Sequence, residues 1–375
     1  MLLDEATSHP RIHARFSCRL RNIEFDAKRN NPRAEDDCRL SFDTFEGEPS
    51  PCTRYVAFIV GTDGINSLVR SFIARATPLN FQQEYIDSEY LELRVPPTKS
   101  GDFALDPNHL HIWPRHSFML IALANLDRSF TSTLFAPAHI LSELTTRKAI
   151  ESFFEREFPD ALELMGRQTV VDLLLPRHGR GSTLSNIKCN PYHYKGQAII
   201  LGDAAHAMLP FYGQGLNCGF EDVSVMIELL EQNGIEPLSS AASRAHTSIP
   251  MQGSRPDLGS RVAGAFAEYT ASRHDDLLAI NYLASQNYVE MSSSVVSPLF
   301  LLRKRLDALL MTLLPNGWWS SLYKMVTFTP DISYAKAKRI EDRQKLILEK
   351  AIAGAAGLGL ASALLLVRKW WVNRA

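Results

Sequence analysis

The pattern of apolar and polar residues in the first third of the chain is typical of strands interrupted by one helix. Period-two alternation over 12–16 predicts a strand. The continuous apolar run 56–60 predicts a short buried strand that stops at the turn signal 61–64. A helix is predicted over 67–76, and the β-rich sequence of 90–135 predicts a second layer that carries a sheet.

The rest of the chain is predicted to be mainly helical around one further buried strand. A helix over 141–158 is expected to end at Pro159. The apolar run 198–201 predicts the strand, and helical spacing resumes from Glu268. Between 233 and 264 the sequence is rich in Ser, Ala, Pro and Gly without a clear period, which predicts a flexible insertion.

Composition places the chain among ordinary globular proteins. Its 375 residues suffice for about two to three domains, and 45% apolar with 22% charged residues argue against wholesale disorder. Lys and Arg number 40 against 41 Asp and Glu, so the net charge of -1 predicts no nucleic-acid partner. The five cysteines are odd in number and never form C-x-x-C, which indicates neither a disulfide framework nor a zinc knuckle.

An uncharged stretch over 351–367 departs from this average. It has 17 residues, lies between Lys350 and the basic and aromatic run 368–371, and would span about 25 Å as a helix. Basic and Trp residues at such an end suit a membrane interface, so we expect a transmembrane anchor. A buried C-terminal helix is the alternative, because small residues at i+4 spacing suit internal packing equally well.

The strongest local motif is a strand that ends in Gly202-Asp203 and leads into a glycine-rich turn. A carboxylate at the carboxyl edge of a sheet can accept hydrogen bonds from vicinal hydroxyls, such as those of a flavin polyol chain. Gly213 and Gly215 let the backbone approach a flat ring. If a helix begins at 215–217, its free N–H groups would stabilise negative charge on a reduced flavin. Taken alone, the motif also fits an Asp-capped turn in an unrelated α/β protein.

A companion motif lies about 140 residues earlier, at 60–70. Asp63 and Ser67 can brace a turn at the start of a helix. Arg70, one turn later, is expected to direct its guanidinium to phosphate.

Together the two motifs resemble the flavin fingerprints of the class A flavoprotein aromatic hydroxylases. Strings at 110–115, 118–123, 287–291 and 322–328 are similar to the kynurenine 3-monooxygenase family within that class. The resemblance implies an α/β fold of FAD/NAD(P)-binding three-layer type, with a β-sheet substrate domain and a C-terminal helical region. It also implies an N-terminal βαβ unit with a G-x-G-x-x-G turn, which we expect to be missing because the sequence near Met1 has no such motif.

The resemblance also gives expected domain boundaries. They are 1–88 with 185–232 for the incomplete FAD-binding domain, 89–184 for the substrate domain, 233–264 for the insertion, 265–348 for the helical region and 351–367 for the anchor.

The resemblance assigns roles to thirteen residues. Cofactor-binding positions are Leu20, Asp63, Arg70, Asp203, Gly213, Gln214, Gly215, Leu216 and Asn217, and substrate-binding positions are Pro210, Phe211, Asn287 and Tyr323. Without the resemblance, Asn287 and Tyr323 would be interpreted as capping or packing residues. His206 is expected to shape the flavin loop rather than act as a base, and His109 with His111 lacks a third metal ligand.

The implied activity is FAD-dependent hydroxylation of L-kynurenine by O2, with NADPH as reductant, giving 3-hydroxykynurenine in tryptophan degradation and de novo NAD biosynthesis. The family's C-terminal anchor implies attachment to the outer mitochondrial membrane with the catalytic body facing the cytosol. Two alternatives are another FAD-dependent monooxygenase or epoxidase of the same fold, and a non-catalytic membrane-anchored fragment.

Overall fold

The computed structural model describes residues 2–27, 37–44, 52–235, 258–293, 295, 297–315 and 317–351. The chain divides into two compact units. The first unit comprises Met1–Glu84, Ser185–Met208 and Gly215–His274, and the second comprises Tyr85–Leu184, Leu209–Gln214 and Asp275–Ala375.

The described strands form three sheets. They are β1 (Cys18–Ala27), β2 (Asp37–Thr44), β3 (Cys52–Val56), β4 (Ile59–Gly61), β5 (Asn80–Val95), β6 (His111–Pro114), β7 (Met119–Ala124), β8 (Phe130–Ala136), β9 (Ser182–Asn190), β10 (His193–Tyr194) and β11 (Ala198–Ile200). The strand orders are β1-β2-β3, β10-β11-β4 and β6-β7-β8-β5-β9. Only the pair β11 and β4 is parallel among the strand pairs whose register is described.

The described helices lie before and between the strands in the first half of the chain and make up most of its described part after β11. They are α1 (Leu2–Ser8), α2 (Leu68–Ala76), α3 (Ala138–Leu141), α4 (Arg147–Glu157), α5 (Pro159–Met165), α6 (Arg167–Leu174), α7 (Asp203–His206), α8 (Gly215–Gln232), α9 (Leu258–Ser292), α10 (Pro298–Leu313), α11 (Leu322–Phe328) and α12 (334–351). The predicted helix over 67–76 is confirmed as α2, and the predicted strand over 198–201 is confirmed as β11.

Parallel pairing of β4 with β11 brings the two sequence motifs to one edge of a sheet in the first unit. Val60 lies opposite Ile199, and Gly61 lies opposite Ile200. Because both strands run in the same direction, the turn that carries Asp63 and the turn that carries Asp203 leave the sheet at the same edge.

The core of the second unit lies between strands β5 to β8 and helices α3 to α6. Alternate residues of β5, Leu91, Leu93 and Val95, are buried on one face of the sheet, as the period of a strand requires. They belong to one hydrophobic cluster with Phe154 and Phe158 on the helical side. The sequence signal for a sheet-bearing layer over 90–135 is therefore confirmed by β5 to β8.

Two strand predictions were wrong. Residues 12–16 form no strand, since β1 begins at Cys18 and the apolar side chains before it are exposed. The run 56–60 is not one strand, because β3 ends at Val56 in one sheet and β4 begins at Ile59 in another. Val60 is 41% exposed and therefore not buried as predicted. The apolar run is continuous although the chain passes from one sheet to another between Val56 and Ile59.

Two helix boundaries also differ from the prediction. Pro159 does not end the local helical structure but begins α5, because proline is tolerated at the first position of a helix, where its missing N–H has no partner to lose. Helix α9 begins at Leu258, ten residues before the predicted Glu268, so the end of the predicted insertion is helical. Residues 236–257 lie outside the described residues.

The cysteines and the C-terminal anchor are the remaining features that the sequence singled out. All five cysteines are free thiols. In the described ranges, no helix is both long and apolar enough to cross a bilayer. The predicted anchor 351–367 lies outside the described residues except for Ala351.

Gly61→Ala is expected to lower the free energy of unfolding by about 1–3 kcal/mol, because the added Cβ would lie 2.7 Å from the Val69 Cβ of α2. Gly219→Ala is the matched control, since no atom lies within 4 Å of its added Cβ. Within helix α8 that change should raise stability by up to about 1 kcal/mol. Urea unfolding of both variants measures the difference, and shifts of the same sign would contradict the close approach of α2 to β4.

Candidate functional site

Asp63 caps the start of α2 in the first unit. Its Oδ1 accepts a hydrogen bond from the Ser67 hydroxyl at 2.5 Å, and its Oδ2 accepts from the backbone N–H groups of Leu68 and Val69 at 2.7 and 3.2 Å. Ser67 Oγ in turn accepts from the Arg70 N–H at 3.0 Å. These bonds occupy N–H groups that a helix start leaves without partners, so the predicted bracing of this turn is confirmed.

Arg70 binds the protein's own backbone, which the sequence did not predict. Its Nη1 donates to Ala204 O and its Nη2 donates to Ile65 O, both at 2.6 Å. The guanidinium is buried and lies over the Phe81 ring at 4.9 Å, and burial lowers its pKa. These two bonds tie the start of α2 to the turn that carries Asp203. That the guanidinium also binds a phosphate of the cofactor stays a prediction.

The turn after β11 presents Asp203 to solvent. Gly202 has φ +57°, a backbone conformation that glycine adopts without a Cβ clash, and Asp203 begins the short helix α7. Cys189 fixes the residues that follow Asp203, because its Sγ donates a hydrogen bond to Ala205 O at 3.1 Å. Burial raises the pKa of that thiol to about 12, so the thiol keeps the hydrogen that it donates. An exposed carboxylate thus stands on a fixed turn at the end of a parallel strand.

Behind this turn lies a buried charge network. The Asp222 carboxylate, 0% exposed, accepts from the Gly202 N–H at 3.1 Å and pairs with His206 Nε2 at 2.5 Å. Its other oxygen accepts from Arg273 Nε and Nη2 at 3.1 and 3.0 Å. Burial alone would raise the pKa of Asp222, but the His206 hydrogen bond and the Arg273 charge outweigh it and lower the pKa below its ordinary value.

These residues do not fit a metal ion. His206, Cys218 and Asp222 bring their ligand atoms within 4.8 Å of one another. However, both Asp222 oxygens already accept hydrogen bonds, and the Arg273 guanidinium on the same carboxylate would repel a cation. The prediction that His206 shapes the loop agrees with its place against Asp222.

The second half of the motif begins a helix as expected. Helix α8 starts at Gly215, and Leu216 and Asn217 in its first turn are exposed. The first N–H groups of an α-helix lack intrahelical partners and carry partial positive charge. Leu20, the remaining predicted cofactor residue of the first unit, lies in another sheet, opposite Phe42 on β2.

In the second unit, Phe211 is the buried centre of an aromatic cluster. Its ring centroid lies 4.9 Å from that of Phe135 and 4.6 Å from that of Tyr288. The Tyr288 hydroxyl bonds to Ser88 Oγ at 3.0 Å, and Asn287 Nδ2 donates to Phe211 O at 2.7 Å. Two successive residues of α9 therefore fix the turn that carries Phe211, a role that the sequence did not reveal for either of them.

The other predicted residues of the second unit flank this cluster. Pro210 is exposed beside Phe211, and Gly213, with φ +67°, ends the same turn. Gln214 accepts a 3.4 Å hydrogen bond from the Tyr334 hydroxyl. Tyr323 is 60% exposed, and its ring lies 6.5 Å from that of Tyr212.

Similarity to known proteins decides the family. Residues 1–234 match the model of the FAD binding domain family. The chain is 44% identical over 348 residues to kynurenine 3-monooxygenase of Mycosarcoma maydis, covering 86% of this chain and 53% of that protein. It is 40% identical over 339 residues to kynurenine 3-monooxygenase of Candida albicans, covering 90% and 68%. The chain belongs to the kynurenine 3-monooxygenase family.

The family assignment confirms the predicted resemblance and fold class. The crystal structure of pqsL from Pseudomonas aeruginosa, 18% identical, superposes with a TM-score of 0.50 over 78% of this chain and 68% of that one, which shows a shared fold. The chain spans about half the length of its Mycosarcoma maydis relative. FAD is the cofactor named by the family model that matches the chain.

The described residues of the first unit fit a flavin. Asp203 offers an exposed carboxylate for hydroxyl groups, and the first turn of α8 offers backbone N–H groups for negative charge. The first unit therefore offers both a hydrogen-bond acceptor and the hydrogen-bond donors that a flavin requires.

Proposed function

We propose that this chain carries out FAD-dependent hydroxylation of L-kynurenine to 3-hydroxykynurenine, with NADPH as the reductant. One O2 and one proton are consumed, one oxygen atom enters the ring ortho to the amine, and the other leaves as water while NADPH becomes NADP+. Bound FAD supplies the redox chemistry that activates O2. The observation that carries the proposal is the exposed Asp203 carboxylate at the end of β11, in a chain of this family.

The residues of the first unit would bind and polarise the cofactor. Asp203 would accept hydrogen bonds from its polyol hydroxyls, and the N–H groups of the first turn of α8, at Leu216 and Asn217, would stabilise negative charge. Arg70 and Asp63 would act through the backbone, by holding the turns on which these groups stand. No side chain is required as nucleophile or general base.

The residues of the second unit would orient the substrate. Phe211 and Pro210 would supply an apolar wall for an aromatic ring, and Tyr323 an exposed hydroxyl. Asn287 would act on this wall, since its amide nitrogen holds the Phe211 carbonyl. Fixing the ring in one position relative to the oxidant raises the rate of the correct hydroxylation over side reactions.

We further propose that residues 351–367 anchor the chain in the outer mitochondrial membrane, with the catalytic body facing the cytosol. The support is the sequence: 17 uncharged residues between Lys350 and the basic and Trp-rich run 368–371.

Asn287→Ala is expected to lower kcat/KM for L-kynurenine roughly 10- to 100-fold, because the Phe211 carbonyl loses a hydrogen bond that fixes the substrate wall. Gln286→Ala, an exposed amide on the same helix, is the control and should leave kcat/KM unchanged. The assay uses the full chain with added FAD and measures kynurenine-dependent NADPH oxidation and the hydroxylated product.

Two results would contradict the proposed function. Absence of flavin absorbance near about 450 nm after FAD addition would exclude a flavoenzyme for this chain. NADPH oxidation that is independent of kynurenine and unaffected by Asn287→Ala would instead favour another monooxygenase of the same fold.

The full chain is expected to float with phosphatidylcholine vesicles in a density gradient. Leu358→Arg with Leu360→Arg should release it, because each Arg near the centre of a span costs about 2.5–3.5 kcal/mol. Leu346→Arg, half-exposed on α12, is the control and should still float. Failure of the unmodified chain to float would favour a buried C-terminal helix. Fractionation of cells expressing the chain, with protease treatment of intact mitochondria, tests the location and orientation.

A further inference from the structure

We propose that Asp222 is a positioning residue for the cofactor, whose buried carboxylate locks the Gly202–Asp203 turn to helix α8. This inference rests on the proposed binding of FAD by the first unit. The Asp222 side chain bonds to Gly202, His206 and Arg273 rather than to Asp203 or the first turn of α8. It nevertheless determines how those two segments are placed.

The geometry joins the two flavin-facing segments through one carboxylate. Asp222 belongs to α8 and lies seven residues, about two turns, after Gly215 at its start. From there its Oδ2 reaches the Gly202 N–H at 3.1 Å and His206 Nε2 at 2.5 Å, at the two ends of the turn that carries Asp203. A shift of α8 relative to the turn would break both bonds at once.

Arg273 balances the charge that this arrangement buries. It is 3% exposed and donates hydrogen bonds from Nε and Nη2 to the second Asp222 oxygen. It also forms an ion pair with Glu221 at 2.9 Å, whose side chain is 42% exposed. Because an isolated buried carboxylate is costly, Asp222 can serve the turn only while Arg273 neutralises it.

His206 joins the turn to Asp222 through a hydrogen bond that fixes its tautomer. An ionised carboxylate can only accept hydrogen bonds, so His206 Nε2 must carry the hydrogen that it gives to Asp222. The His206 and Ala205 N–H groups also bond to Gly202 O, at 2.9 and 2.8 Å. Four donors of the turn, the N–H groups of Gly202, Ala205 and His206 and the His206 Nε2, therefore have fixed partners. The outward carboxylate of Asp203 then needs no reorganisation before it meets a ligand.

Asp222→Asn tests the inference because Asn has the shape of Asp, but its amide cannot accept hydrogen bonds at both terminal atoms as a carboxylate does. If its oxygen faces Gly202 and His206, its NH2 faces the Arg273 donors; if it is turned round, its NH2 faces the Gly202 N–H. We expect FAD to bind the variant apoprotein at least about tenfold more weakly than the unmodified apoprotein, about 1.4 kcal/mol. Amide hydrogen exchange of residues 202–207 should become faster in the variant apoprotein.

Glu221→Gln is the matched control. It removes the other acidic partner of Arg273 but touches no atom of the turn, so FAD affinity and exchange at 202–207 should match the unmodified chain. If Glu221→Gln weakens FAD binding as much as Asp222→Asn does, the effect is general loss of the Arg273 pairing, and the positioning role is wrong.

A second pair of variants keeps the test decisive if Asp222→Asn fails to fold. The side-chain amide of Gln can place an N–H donor where His206 Nε2 lies and so keep the bond to Asp222. The amide of Asn is too short for this and reaches only the position of Nδ1. We expect His206→Gln to retain FAD affinity and slow exchange at 202–207, and His206→Asn to lose both. Equal behaviour of the two variants, or unchanged FAD affinity in Asp222→Asn, would overturn the inference. If the unmodified chain binds no FAD, the proposed cofactor function fails, while hydrogen exchange in the apoproteins still decides the role of Asp222.

Discussion

The parallel pairing of β4 with β11 is the constraint on which the candidate site depends. Two strands that run in the same direction end at the same edge, so a register with Gly61 opposite Ile200 delivers both the Asp63 turn and the Asp203 turn to one place. Glycine at position 61 is required because α2 packs against β4 so closely that a Cβ at this position would lie 2.7 Å from the Val69 Cβ. Arg70 then joins the two turns directly, through the Ala204 carbonyl.

Burial of charge is the second constraint, and it explains why both oxygens of Asp222 accept hydrogen bonds. A buried carboxylate and a buried guanidinium are each unfavourable alone, but Asp222 and Arg273 satisfy each other with two hydrogen bonds. The remaining acceptor capacity of Asp222 is used for Gly202 and His206, so the electrostatic pairing also fixes backbone geometry. In the second unit the described cluster around Phe211 involves no charge: ring packing and the amide of Asn287 fix the backbone of the turn there.

The sequence predicts what is local and misses what depends on contacts between distant segments. The strand, the Gly202-Asp203 turn and the start of α8 were all predicted, because Gly, Asp and a short apolar run impose their conformations within a few residues. The bond between Asp222 and Arg273 joins residues 51 apart, and no pattern in either segment indicates the partner. The single-strand interpretation of 56–60 failed for a related reason: apolar composition is the same on both sides of a change of sheet. Arg70 was predicted to bind phosphate because its residue type suits that ligand, but its hydrogen bonds to two backbone carbonyls were not predicted.

The most direct measurement of the central claim is the FAD affinity of Asp203→Ala, by fluorescence titration of the 375-residue apoprotein. Asp275→Ala, an exposed carboxylate on α9, is the control. If Asp203 accepts hydrogen bonds from the cofactor, its loss should weaken binding at least about tenfold while Asp275→Ala changes nothing. Equal FAD affinity in the unmodified chain and Asp203→Ala would contradict the assignment of this sheet edge as the flavin site.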